Sequence, residues 1–414
     1  MFNRLGFLGR EQMRHLREGG WVIFSQKVYT LFMIPFACVG VFIVRLLRPL
    51  IIIRWASLDL SRIGGVYSAL WYLSEHSNGR HSRKSWDIFY TAPNSPISNQ
   101  QWFKMLKRHL SFCPFRKFIH TVRKLNVFLP GSSVHMISYS HPPGSDTFKH
   151  VLAEPHKLVL RFTSEEEVSG QKMLANLGLS DGTPFVCFHT RDSAYLKSQF
   201  PGKDWGYHDY RDTSIRQYIP AVERLISKGY LAVRMGAVVN EKLKSDNPAI
   251  IDYATNGKRT DFLDVYLGAK CAFFLGSDSG ITIIPEAFKR PVVYTNWVSI
   301  QILPAHYSCH GLIIMKKWYS VKERRLLTFP EIFPLAQPHR IQPQEMGVEF
   351  IDNSADEIID VVNEMEQRLK GTWETNKEDE HIQERFWALY ADKLRAPNVR
   401  IGAMFLRQNR HLLN

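Results

Sequence analysis

The sequence predicts an α/β protein built on open, largely parallel sheets. Three observations carry that prediction. The chain has 414 residues, enough for two α/β domains with extensions. From about residue 184 onward, short apolar runs alternate with amphipathic helical stretches. Near residue 49 an apolar run meets a glycine-containing loop and then a helical pattern, the order in which an open α/β domain begins.

Each element follows from local chemistry. Residues 49–56 (PLIIIRWA) are the first expected strand, a β-branched run suited to a parallel sheet. The loop SLDLSRIGG follows, then the helical pattern VYSALWYLSEH. A second strand is expected at 86–91 (WDIFYT) and a helix in QQWFKMLKRHL. The stretch from about 128 to 156 is rich in Pro, Ser, His and Gly and has no clear period. Residues 163–178 predict a helix: Thr163 or Ser164 caps it, acidic residues fill its first turn and Gly178 ends it. Strands are then expected at 184–189, 230–234, 271–276, 292–295 and 311–315, with helices at 213–228, 260–268 and 281–289. The run VEFIDNSADEIIDVVNEMEQRLKG reads as a strand, a Ser354 cap and an amphipathic helix.

Residues 28–44 (VYTLFMIPFACVGVFIV) hold no charge, and as a helix they would be about 26 Å long, slightly short for a hydrocarbon core. Arg4, Arg10, Arg14, Arg17 and Lys27 precede the run, and Arg45, Arg48 and Arg54 follow it. A spanning helix normally has one basic side. Pro35 and Gly40 lie in the middle, where a bend costs little. The expectation is a membrane-associated helix or bent helix pair on an anionic cytoplasmic leaflet, with a single span and a buried core helix as alternatives.

A composition of 45% hydrophobic and 22% charged residues excludes disordered and fibrous classes. The net charge of +14 favours anionic partners. Nucleic acid fits poorly, because no long basic run, zinc-finger spacing or RNA-binding aromatic signature occurs. The pairs Lys316-Lys317 and Arg324-Arg325 read as solvated surface. Five cysteines (38, 113, 187, 271 and 309) include no C-x-x-C pair. Cys187 and Cys271 sit in apolar runs and read as core residues in a reducing compartment, with no structural metal.

Ligands of open α/β sheets bind beyond the carboxyl ends of the strands, so chemistry is sought there. After CAFFLG comes Ser277-Asp278-Ser279-Gly280 and then a helix carrying Glu286. That turn offers backbone N–H groups to a phosphate, and Glu286 could accept from a ribose diol; a plain helix cap with an exposed Glu is the competing reading. After PFVCFH, His189 ends the strand and Arg191 and Asp192 follow. A guanidinium fork suits a diphosphate, while His189 reads equally as a base or as a core histidine. Arg234 and Gly236 end the YLAVR strand in the same way. Tyr210, Arg211 and Asp212 precede the next helix, Asp212 as its cap and the other two as cleft lining. Three cationic or N–H-rich strand tips together predict one anion-binding cleft.

These residues carry a resemblance. GSDSGITIIPEAFKRPVVY resembles the nucleotide-diphosphate loop and helix of GT-B glycosyltransferases, heptosyltransferases included. FHTRDSAY is similar to the strand-plus-arginine motif of GDP-fucose-dependent fucosyltransferases. HTRDSAYL, YHDYRDTSIRQYIPAVERL, RMG and FLGSDSG resemble a family of bacterial glycosyltransferases of surface polysaccharide synthesis, over about a third of the chain. The resemblance implies a GT-B-like α/β fold, two Rossmann-like domains facing a cleft, plus the N-terminal membrane-associated segment. Its expected divisions are the segment 1–48, an acceptor-side domain 49–165, a nucleotide-sugar domain 166–340 and a strand–helix extension 341–414. It implies sugar transfer from a nucleotide diphosphate donor to a glycan or lipid-linked acceptor at the cytoplasmic face of the inner membrane. Arg191, Ser279 and Gly280 would hold the diphosphate and Glu286 the ribose, with Arg211, Arg234, Gly236, Ser277 and Asp278 beside them.

The sequence holds no D-x-D triplet. Arginines and a helix dipole can stabilise the leaving diphosphate instead, so no metal and no cofactor are expected. The base is sought first at Asp59, directly after the first strand, then at Asp192, with His189 third. Two alternatives remain: a sugar-nucleotide epimerase of the same fold, and a non-catalytic membrane-associated assembly protein.

Overall fold

The apolar runs become strands within a few residues of their expected bounds. The computed structural model describes residues 24–25, 28–29, 31–77, 84–137, 160–179, 182–298, 300, 310–335, 341–389 and 399–414. Arg4, Arg10, Arg14, Arg17, Lys27, Cys309 and most of the 128–156 stretch lie outside these. The chain divides into two compact units. One comprises Met1–Ser61, Gly79–Ser98 and Leu106–Tyr139; the other comprises Arg62–Asn78, Asn99–Met105 and Ser140–Asn414.

In the first unit β1 (Ile52–Leu58) and β2 (Ser85–Thr91) pair in parallel, from Ile52 against Ser85 to Leu58 against Thr91. Ile53, Trp55 and Tyr90 project from these strands into a small core completed by Ala37, Val41, Ile119 and Val122. The last four come from the helical residues 31–46 and the helix Arg116–Val127. The two helices meet at Gly40, where a Cβ would lie 3.3 Å from Phe118 and from Val122. The helix 31–46 runs unbroken through Pro35 and Gly40, so the bent pair expected from those residues is not formed. Among the described residues no helix is long and apolar enough to cross a membrane.

The second unit holds a seven-stranded parallel sheet: β3 (Phe185–His189), β4 (Leu231–Arg234), β5 (Ile250–Ile251), β6 (Phe274–Ser277), β7 (Val292–Trp297), β8 (Gly311–Met315) and β12 (Val399–Ile401). Their order is β12-β8-β7-β6-β3-β4-β5. Strands buried on both faces read as near-continuous apolar runs, and Phe185–Phe188 and all of β8 are buried. Cys187 and Cys271 are fully buried, as the apolar runs predicted. A separate antiparallel sheet, β10-β9-β11, uses Arg325–Leu326, Lys317–Ser320 and Val348–Ile351. The strand before the Ser354 cap therefore leaves the main sheet, and its last place goes to β12.

Local signals set helix ends. Thr163 with Glu166 and Ser354 with Glu357 each form a reciprocal capping box at the helices Ser164–Asn176 and Ala355–Lys370. Tertiary partners decided more. Residues 62–78 and 99–105 pack with the second unit although they flank the strands of the first. Asn99 Nδ2 donates to the Asp261 carbonyl at 2.8 Å, Gln101 Nε2 donates to Glu166 Oε1 at 2.9 Å, and Gly64 packs on Gly280. Lys316 is only 4% exposed, not surface: it donates to the Tyr210 and Asp212 carbonyls and pairs with Asp352 at 2.8 Å.

Candidate functional site

The main sheet reverses direction between β3 and β6. From β3 the chain builds outward through β4 and β5, then crosses back to β6 on the other side and continues through β7, β8 and β12. The loops leaving β3 and β6 therefore part, and the crevice at their carboxyl ends is where such sheets hold ligands. Residues 190–193 leave β3 there, and residues 278–280 leave β6.

Arg191 ties the two loops together. Its backbone N–H donates to Ser277 Oγ at 2.7 Å. Its buried guanidinium pairs through Nη1 with Asp212, while Nη2 is buried with no hydrogen-bond partner among the described residues. Burial, and then the neighbouring Arg211, brings its pKa down to about 10. Arg211 reaches the next turn: Nη2 donates to the Asp278 carbonyl at 2.9 Å and to Asp278 Oδ1 at 2.8 Å, and its Nε is buried without a partner. Buried guanidinium N–H groups are costly to leave unmade, so these two point to an acceptor that the protein itself does not supply.

Other expected site residues have different surroundings. Arg234 is buried; its Nη1 donates to the Glu241 carbonyl at 2.8 Å and lies 3.4 Å from Asp252 Oδ2. It fastens residues 241 and 252, on either side of β5, rather than facing a crevice. Gly236 has φ +157°, and a Cβ there would lie 2.7 Å from Val239, so its missing side chain serves packing within the fold. Gly280 is pressed on Gly64, with a Cβ only 3.3 Å from the Gly64 nitrogen. The turn it opens leads into a short 3-10 stretch (Gly280–Thr282) and the five-residue helix Ile283–Ala287. That is a small dipole compared with the helix expected over 281–289. Ser279 precedes this stretch without a side-chain capping bond.

Glu286 is 6% exposed and accepts from the buried Tyr294 hydroxyl at 2.7 Å. Burial pushes its carboxyl up to about 7. It belongs to the interior behind β6, not to a surface that a ribose could reach without rearrangement.

The three candidate bases also separate. Asp192 accepts from Ala194 N at 2.9 Å and from Asn240 N at 3.0 Å, one bond on each oxygen. His189 Nδ1 lies 2.9 Å from the Met235 carbonyl, which can only accept, so the proton sits on Nδ1 and Nε2 is left as the acceptor. Burial holds its pKa below the ordinary histidine value. Asp59 is exposed in the first unit, where Oδ1 accepts from Ser61 N at 3.0 Å.

Sequence reading missed the second rank of the site. Asp212, read as a helix cap, is the partner of Arg191, and Thr213 Oγ1 donates to Asp352 at 2.7 Å. Lys316 clamps the 210–212 carbonyls from beneath. Beside them opens a cavity of about 940 Å³ lined by Tyr207, Tyr210, Glu349, Phe350 and Asp352, among others. Its carboxylates repel a diphosphate. No group of three or more His, Cys, Asp or Glu side chains among the described residues is placed to hold a metal ion.

No protein-family model matches the chain, and no curated protein sequence does. Among solved structures it is similar to the ADP-heptose LPS heptosyltransferase II of E. coli, at 15% identity and a TM-score of 0.42, over 63% of this chain and 90% of that one. It is also similar to a glycosyl transferase family 9 protein of Veillonella parvula, at 12% identity and a TM-score of 0.41, over 64% of this chain and 86% of that one. The chain is a mixed α/β protein with a large parallel sheet, and the β3–β6 crevice of that sheet is its candidate site.

Proposed function

We propose that the chain is a glycosyltransferase that takes its sugar from a nucleotide diphosphate donor held at the β3–β6 crevice. The observation that carries the reading is the buried, unpartnered Nη2 of Arg191 at the point where the strand order reverses. A diphosphate supplies the acceptor oxygens that Arg191 Nη2 and Arg211 Nε lack. The sequence phrases FHTRDSAY and GSDSG, which resemble glycosyltransferase motifs, leave β3 and β6 beside that atom.

In this reading the two guanidiniums stabilise charge on the departing diphosphate, and turnover needs no divalent metal. His189 becomes the first choice of base within the second unit, because its Nε2 keeps a free lone pair while both Asp192 oxygens are engaged. Ser277 and Asp278 position Arg191 and Arg211 rather than touch the donor. The acceptor is a glycan or a lipid-linked sugar.

The test is a melting-temperature screen with UDP, GDP and ADP and their sugars, run with chelator present. One nucleotide should raise the melting temperature by mass action. That nucleotide's sugar should then be consumed in the presence of a polyprenyl-linked acceptor. If no nucleotide stabilises the chain more than sulfate does, the crevice is not a donor site. Binding without consumption favours a non-catalytic role, and interconversion of sugar epimers favours the epimerase.

A further inference from the structure

The outer face of the helix 31–46 is apolar without exception. Its inner stripe, centred on Ala37 and Val41, packs in the core of the first unit. The residues turned outward are Leu31, Phe32, Pro35, Phe36, Cys38, Val39, Phe42, Ile43 and Leu46, all exposed, with Phe42 at 66%. A helix covered on one side ordinarily shows polar residues on the other. This one shows none.

A second element adds to the same surface. The helix Arg116–Val127 runs alongside, in the same direction: Lys117 Nζ sits over the Tyr29 ring at 5.2 Å, Gly40 meets Phe118 and Val122, and Arg45 Nη2 donates to Asn126 Oδ1 at 2.9 Å. Its two ends carry Phe115 and Phe128, and Phe128 is 84% exposed. Arg45 Nη1 also donates to the Pro130 carbonyl at 2.9 Å, which brings the end of one helix to residues 126–130 of the other.

The first unit's composition is strongly cationic. Residues 19–58 and 88–145 contain no Asp or Glu. Beyond residue 18 the first unit holds thirteen Lys and Arg against two carboxylates, Asp59 and Asp87. Asp87 is already paired with Arg54 at 2.6 Å.

We propose that the first unit docks on an anionic lipid bilayer through both helices, with Phe128 inserted beside the outer face of the helix 31–46. The described run 31–46 is already packed along one side in the core of the first unit, so in this proposal it lies in the interface plane. Apolar insertion removes the exposed side chains from water, and the surplus cations meet lipid phosphates. A second copy is the poorer occupant, because it would bring the same surplus of positive charge against itself.

The experiment is sedimentation of the full chain with vesicles of phosphatidylcholine alone and of phosphatidylcholine mixed with phosphatidylglycerol. Three variants are compared: Phe128→Ser, Lys124→Glu, and the double variant Phe36→Ser with Phe42→Ser. All four positions are exposed, and far-UV circular dichroism checks that the fold is kept. The wild type should prefer the anionic vesicles, and salt should narrow the preference. Phe128→Ser should weaken partitioning about tenfold, the scale of one buried aromatic side chain. Lys124→Glu should weaken it on anionic vesicles only, and the double variant should abolish it. Unchanged partitioning of Phe128→Ser would overturn the two-helix surface. A wild type that ignores both vesicles and forms an oligomer which the double variant dissolves would make the face a contact between copies instead. Donor-induced melting shifts should be the same in all variants, so this outcome is independent of the proposed activity.

Discussion

Two strand ends of the same sheet look alike in sequence and differ in what surrounds their arginines. Arg191 follows β3 and Arg234 ends β4, one strand over. Arg234 is spent within the fold, on the Glu241 carbonyl and on Asp252. Arg191 is held by one carboxylate and keeps a buried N–H without an acceptor. The difference teaches that a cation at a strand end is a ligand candidate only when the protein leaves part of it unsatisfied. It also falls where topology puts it: Arg191 lies at the reversal of strand order, and Arg234 lies away from it.

The comparison can be broken most directly at Arg234. Arg234→Met should cost about 3–5 kcal/mol of stability, because it leaves Asp252 without its cation in a largely buried site. Chemical denaturation reads this, and donor affinity of the folded fraction should be unchanged. A loss of affinity with stability intact would make Arg234 a donor residue after all.

Glu286 gives the next largest effect, through pH. Its folded pKa, about 7, lies above the ordinary glutamate value because of burial. The folded state thus holds this proton more tightly than the unfolded state does. The stability it contributes is complete below the unfolded pKa and is lost as pH rises through about 7. Glu286→Gln, which cannot ionise, should therefore gain on wild type by roughly 3 kcal/mol between pH 4 and pH 8. Urea midpoints at the two pH values check the sign. Donor affinity should not change; if it falls sharply, the ribose role expected from the sequence is restored.

Arg191→Lys should weaken donor binding by about 2 kcal/mol, the scale of a hydrogen bond to a charged group, with a smaller effect on stability. A lysine replaces the fork by a point charge and cannot present an equivalent of Nη2. Titration calorimetry with the nucleotide found by the melting screen decides it, and an unchanged affinity counts against the crevice.

The smallest effect is expected at Asp212. In the proposed reading Asp212→Asn removes the carboxylate that competes with a diphosphate for Arg191, and donor binding should tighten by about 1 kcal/mol, on the scale of a single ion pair. Weaker binding would mean that Asp212 orients the guanidinium more than it competes for it.

Much of this protein is written locally. The capping boxes at Thr163 and Ser354 involve partners three residues away, so the chain alone determines where those helices begin. The strands of the main sheet announce themselves because a parallel sheet is buried on both faces and reads as near-continuous apolar runs. Arg191 and the 277–280 turn were legible as strand-end residues, and the uncharged run in 28–44 was legible as a helix with no polar face.

What the sequence could not specify depends on partners distant in the chain. Whether Arg191 or Arg234 keeps an unmade hydrogen bond was decided by Asp212, Glu241 and Asp252, which sit on separate loops. Glu286 reads from sequence as a ribose acceptor or an exposed helix residue, and only the arrival of Tyr294 from β7 made it an interior acid. Residues 62–78 and 99–105 follow the first unit in order but fold with the second, because Asp261, Glu166 and Gly280 supply their contacts. Periodicity and capping act over a few residues, so they settle which elements form. Burial and hydrogen-bond satisfaction act between elements, so only the tertiary structure settled which polar groups found partners within the fold and which did not.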